Sequence, residues 1–119
     1  MTPEEFRRHG HDLIDWIADY RASLPQRPVR ASVAPGDIAA QLAASAPEDG
    51  EDPTAVLGDL DDIVMPGLTH WQHPRFFNFF PANSELSSVL GDIASSGLGV
   101  LGLSWEASPA LSEVEQVVL

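Results

Sequence analysis

Phe6, Leu13, Ile17, Tyr20 and Leu24 recur at the spacing of one helix face, and Ile14 and Trp16 widen the stripe. Thr2-Pro3-Glu4-Glu5 opens this helix with an N-cap hydroxyl, a Pro at the first helical position and a Glu in capping-box register. Pro25 is expected to end it, and a connector follows through Pro28 to Pro35. A short helix is expected after Asp37, carrying Ile38 and Leu42, and then an acidic loop from Ala46 to Asp52. Pro53 starts another helix, with Val56, Leu57, Leu60, Ile63 and Val64 on one side and Pro66-Gly67 as its stop. Further on, Asn83 or Ser84 is suited to cap a helix carrying Leu86, Val89, Leu90 and Ile93. Ser108-Pro109 begins a last helix with Leu111, Val114, Val117 and Val118, and that pattern reaches Leu119 with no stop signal. An exposed apolar stripe invites association, so the chain is expected to be the N-terminal piece of a longer polypeptide. The first helix, with nothing local to pack on, is a candidate for docking on another subunit.

Between these helices lies a stretch of another kind. Trp71, Phe76, Phe77, Phe79 and Phe80 crowd together among Pro66, Gly67, Pro74 and Pro81. A regular helix cannot carry so many breakers, and a strand would send Phe76 and Phe80 to one face and Phe77 and Phe79 to the other. Burying each ring is worth about 1.5–3 kcal/mol, so something should cover them. Two readings stand on pattern alone: a core crossing that ties two helices together, or the wall of a cleft for a flat ligand.

Composition narrows the chemistry. The 119 residues suit one small domain, and a net charge of −12 argues against nucleic acid or an anionic membrane as partner. No run approaches the length of a membrane helix, and the N-terminus lacks the apolar core of a secretory signal, so a cytoplasmic location is the expectation. The absence of Cys excludes disulfides, thiolate nucleophiles and Cys-based zinc sites. All six basic residues are Arg. Chemistry that requires a lysine amine, such as Schiff-base formation, cannot be completed by these residues. The Arg-rich, Lys-free composition is what a GC-rich genome would encode, which suggests a bacterial source.

Gly97-Leu98-Gly99-Val100-Leu101-Gly102 matches G-x-G-x-x-G, but a helical pattern precedes it where the dinucleotide fingerprint needs a strand. A Gly-rich turn is the better reading. His70-x-x-His73 and His9-x-His11 are the His pairs, short of the ligands a zinc site needs; hydrogen-bonded or exposed imidazoles are expected, and no metal. No residue stands out as a nucleophile.

Several blocks together resemble a family. Glu5-Phe6-Arg7-Arg8, Met65-Pro66-Gly67, Thr69-His70-Trp71, His73-Pro74, Phe77, Phe80-Pro81, Ser104-Trp105, Ala107-Ser108-Pro109-Ala110 and Glu113 are similar, in order, to the group II pyridoxal-phosphate-dependent amino-acid decarboxylases, aromatic-L-amino-acid branch. The likeness runs from Phe6 to Leu119 and is weakest over residues 36–60. It implies a parent enzyme of α/β architecture, the fold-type I pyridoxal-phosphate-dependent transferase fold. This chain would be the mostly α N-terminal part: residues 1–83 a helical dimerisation segment with the aromatic stretch, residues 84–119 the start of the large cofactor-binding domain.

The resemblance further implies decarboxylation of an aromatic L-amino acid to its amine by a homodimer. The Schiff-base Lys and the other catalytic residues would lie beyond position 119, so none is expected here. The substrate's side chain would meet Trp71, Phe79, Phe80, Pro81 and Ala82, and Leu101 and Leu103 would reach the partner subunit's site. Many relatives have a hydroxyl residue where this chain has Ala82, and those acting on catechols often have Phe at Leu103 and an aromatic hydroxyl at Phe79. These departures favour an indole or phenyl side chain. Within the same fold an aldehyde-forming or a non-aromatic decarboxylase is the alternative; from another class, a non-enzymatic helical dimerisation module.

Overall fold

The computed structural model describes residues 1–80 and 84–119. Among the described residues all regular structure is helical, and the chain divides into two compact units, Met1–Ala82 and Asn83–Leu119.

The first unit is built on α1 (Pro3–Ser23), which begins as its opening residues dictate. The Thr2 side chain accepts from the Glu5 N–H at 3.2 Å, and the Glu5 carboxylate accepts from the Thr2 N–H at 2.7 Å. Two of the orphan donors at this helix end are thereby satisfied. Pro25 sits inside a 3₁₀ turn, Leu24–Gln26, that follows α1 directly. The helix expected after Asp37 is reduced to a 3₁₀ turn, Ala39–Gln41. Gly36 at φ +99° and the Asp37 carboxylate accepting from the Ala34 N–H at 2.7 Å make a tight turn there, leaving too few residues for an α-helix.

The Pro53 helix, α2 (Pro53–Asp59), is capped by Asp52, whose side chain accepts from the Thr54 N–H at 2.8 Å. It runs on into a π-helical segment, Leu60–Val64, and a final 3₁₀ turn, Met65–Gly67, so the Pro-Gly stop falls where expected. Leu13 of α1 shares a shallow groove with Val56, Leu57 and Leu60, and the Trp16 indole N–H donates to Asp61 at 3.0 Å. Among the described residues, Leu24 and Met65 are the buried apolar side chains. Gly67 leaves room for a close approach: a Cβ there would lie 2.9 Å from the end of the Ile38 side chain, which would have to shift.

The second unit holds α3 (Leu86–Leu98) and α4 (Pro109–Val118). Glu85, not Asn83 or Ser84, is the N-cap residue of α3, without a side-chain cap; Asn83 itself lies outside the described residues. The backbone enters the helix one residue later than the Ser84 signal implies, and the Glu85 carbonyl takes the first bond, from Val89 at 3.1 Å. The Gly-rich motif is a helix ending. Gly99 at φ +60° adopts the left-handed conformation and donates to the Ser95 carbonyl at 3.2 Å. Ser108 caps α4 as expected, accepting from the Leu111 N–H at 3.4 Å, and the Trp105 indole donates to Glu113 at 3.2 Å. Among the described residues of this unit no apolar side chain is buried.

Candidate functional site

The aromatic stretch is shaped by two buried histidines. His73 makes three local bonds: its N–H donates to the His70 carbonyl at 3.0 Å, its carbonyl accepts from Phe76 at 2.9 Å, and its Nδ1 accepts from the Arg75 N–H at 2.9 Å. With Nδ1 accepting, the ring proton of the neutral imidazole belongs on Nε2, which is buried without a partner among the described residues. This knot folds residues 70–76 into successive turns and brings the Trp71 and Phe76 rings together, stacked at 5.1 Å. Phe79 covers Trp71 as well, at 5.8 Å and 15° between planes. Phe79 reaches that position at φ +55°, in the left-handed region, with its N–H held by the Asn78 side chain at 3.1 Å.

His70 is 3% exposed and is joined to α1 and to the connector. Its Nδ1 lies 3.1 Å from the Tyr20 hydroxyl, and its N–H donates to the Val29 carbonyl at 2.9 Å. Burial, and then the Arg27 guanidinium and the His73 ring, hold its pKa below the ordinary 6.5. Tyr20 is itself stacked on Trp16 at 5.9 Å, with the Arg27 guanidinium 5.4 Å from its ring centre.

Of the predicted wall residues, Trp71 and Phe79 are brought into one stack. Phe80 is 95% exposed and joins no ring pair, as is Phe77 at 90%; nothing among the described residues covers either. Pro81 and Ala82 lie outside the described residues. Leu101 and Leu103 belong to the second unit, exposed on the loop between α3 and α4. Apart from their place in the family resemblance, His70 and His73 are read from the sequence as a metal pair weighed against hydrogen-bonded or exposed imidazoles. Both are hydrogen-bonded, and no group of three or more metal-binding side chains occurs among the described residues. The supporting role of Tyr20 was missed, because a contact fifty positions apart leaves no local signal.

The stack can hold a flat apolar ring by offset stacking. It offers no acid, base or nucleophile of its own. The profile of the pyridoxal-dependent decarboxylase conserved domain matches residues 35–119, most of the chain. A phenylacetaldehyde synthase from Petunia hybrida is 45% identical over the whole chain, which covers 24% of that protein. A tyrosine decarboxylase from Papaver somniferum is 41% identical, with 23% of its length covered. Among solved structures, Catharanthus roseus tryptophan decarboxylase in complex with L-tryptophan superposes with a TM-score of 0.92 at 35% identity, over 99% of this chain and 25% of that one. Rhodiola rosea 4-hydroxyphenylacetaldehyde synthase gives 0.95 at 40% identity, over 100% and 26%. The chain belongs to the pyridoxal-dependent decarboxylase family.

It spans about a quarter of the length of the relatives it matches. The donor set agrees with that share. All six Lys or Arg positions carry a guanidinium, and no lysine amine is present to hold pyridoxal phosphate as an aldimine. These residues alone cannot form that aldimine; what they offer is an aromatic stack.

Proposed function

We propose that this chain is the N-terminal part of a carboxy-lyase that converts an aromatic L-amino acid to its amine with pyridoxal phosphate. Its own contribution is substrate-pocket wall and dimer surface. The observation that carries the reading is the Trp71–Phe79 stack, held by a strained backbone on one side and a histidine knot on the other, in a chain of this family. Family relatives named for tyrosine, dopa and tryptophan make an aromatic side chain the expected guest. Phe80 and the residues after it would extend the wall, and Leu101 and Leu103 would complete the other subunit's pocket. Residues 1–83 would then be the dimerisation segment and residues 84–119 the start of the cofactor domain. Exposed Phe6 on α1 and Val117, Val118 and Leu119 at the end of α4 are apolar surface that a homodimer and the remaining polypeptide would cover. A cytoplasmic location belongs to the same proposal, to be checked by cell fractionation.

The test is made on the full-length protein supplied with pyridoxal phosphate. Cofactor absorbance and release of the amine from at least one of phenylalanine, tyrosine, dopa or tryptophan are expected. Neither appearing with any of them would end this reading. The aldehyde-forming alternative is favoured by the aldehyde synthases among the relatives. The same reaction mixtures, supplied with dioxygen as the oxidant, decide it: aldehyde, ammonia and hydrogen peroxide as products, in place of amine, establish that alternative.

A further inference from the structure

We propose that Tyr20 and His70 are positioning residues for the aromatic wall, fixing Trp71 from α1 across a separation of fifty positions. The inference rests on the wall reading above, since it concerns what holds the wall in place.

His70 immediately precedes Trp71, and its polar groups are committed in three directions. Its side chain meets Tyr20 of α1 at 3.1 Å, its N–H meets Val29 of the connector at 2.9 Å, and its carbonyl accepts from His73 at 3.0 Å. One peptide link then leads to the Trp71 ring, and the Phe76 and Phe79 rings stack on it. Tyr20 is equally constrained. It stacks on Trp16, whose indole is tied to Asp61, and Arg27 lies against its ring while donating through Nε to the Ser23 hydroxyl at 2.7 Å. Ser23 in turn donates to the Tyr20 carbonyl at 2.8 Å. A side chain needed only as filling would be apolar at a position 3% exposed, because burying an imidazole costs free energy unless a partner receives it. The directional bond to Tyr20 is what a histidine adds there over a leucine. It gives the wall a fixed distance from α1, an element that touches no substrate in this reading.

The experiment uses the full-length enzyme with its cofactor. Tyr20→Phe removes a single oxygen, and His70→Leu removes the bond from the other side. Each is expected to raise KM for the aromatic substrate by about three- to tenfold while kcat stays within about twofold. His70→Asn, which sets an amide atom close to the Nδ1 position, is expected to recover most of the loss. The double variant Tyr20→Phe with His70→Leu should be no worse than His70→Leu alone. Amide exchange at His73 and Phe76 is read in the same proteins, and Tyr20→Phe is expected to speed it by about tenfold. Unchanged exchange together with unchanged KM, or equal losses in kcat and KM without rescue by His70→Asn, would overturn the inference. Trp71→Ala and Phe79→Ala are the controls for the wall itself. If they leave KM unaltered, the wall reading fails; if they raise it and Tyr20→Phe does not, the positioning role alone fails. Should His70→Leu not fold, Tyr20→Phe carries the test through both measurements.

Discussion

The two units of this chain are helical to a similar degree and differ in what holds them. In Met1–Ala82, side chains far apart in sequence find each other: Trp16 with Asp61, Tyr20 with His70, Ile38 against Gly67. Among the described residues of Asn83–Leu119, the Trp105 to Glu113 bond and the Ser104 and Ser108 turns are local, and the apolar faces of both helices stand open. A helix of this length draws most of its stability from packing, not propensity. The first unit therefore carries much of its own architecture, whereas the second needs apolar surface from outside these residues.

The strongest way to break that contrast is to separate the units. Residues 84–119 produced alone should be largely unstructured by far-UV circular dichroism, because isolated helices below about 12–15 residues are marginal in water. Residues 1–82 should retain a helical signal with a cooperative thermal transition. A cooperative transition in the shorter piece would overturn the distinction. Next in size, Leu24→Ala in residues 1–82 should cost about 2–4 kcal/mol in urea denaturation, as a buried leucine does when truncated. Val117→Ala in the whole chain should cost about 0.5 kcal/mol or less, since that side chain is 85% exposed. Thr2→Ala should cost about 1 kcal/mol by removing the capping-box hydroxyl, read as lost helicity in the first turns of α1.

The gentlest expected effect is on pH dependence. His70 has its folded pKa lowered, so between that value and the ordinary 6.5 the unfolded chain binds the additional proton. Stability of residues 1–82 should accordingly be full above pH 6.5 and fall as the solution is acidified below it. The groups around the imidazole bear on this. Arg27 and His73 oppose the proton, the Tyr20 hydroxyl meets Nδ1, and Arg30 and Asp61 line the same hollow with opposite charges. His70→Asn should flatten the slope below pH 6.5 in thermal melts, where the unfolded imidazole takes up its proton before the folded one. An equal slope in that variant would assign the acid sensitivity elsewhere.

Much of the helical plan was legible in the residues themselves. Thr2-Pro3-Glu4-Glu5, Asp52-Pro53 and Ser108-Pro109 each set a side-chain acceptor before a Pro that is already in helical φ, and each begins a helix. Local chemistry of that kind reads directly. The segment after Asp37 did not, because Pro35 and Gly36 spend the available residues on a turn that periodicity does not register. Nor did the π-helical continuation of α2, where apolar spacing at Leu60 and Ile63 looks the same as in an α-helix. At the candidate site, the sequence singled out Trp71 and Phe79 but could not say that they stack, nor that Phe80 stands apart. It named His70 and His73 as a pair without revealing that each serves a different neighbour. Contacts such as Tyr20–His70 depend on how the connector folds back, and nothing within a few residues of either partner encodes it.

Phe79 has a consequence for how this wall can diversify. At φ +55° its backbone occupies a conformation that penalises β-branched side chains heavily and tolerates Asn, Asp, His and Gly comparatively well. The alphabet open to position 79 is thus restricted by the main chain before any guest molecule exerts selection. A saturation library at this position should return aromatic rings, small amides and glycine among its soluble, cofactor-binding members, and lose Val, Ile and Thr regardless of which amino acid is offered. Polarity at this point of the wall can drift in evolution, as from a phenyl ring to a phenol; branching at Cβ cannot.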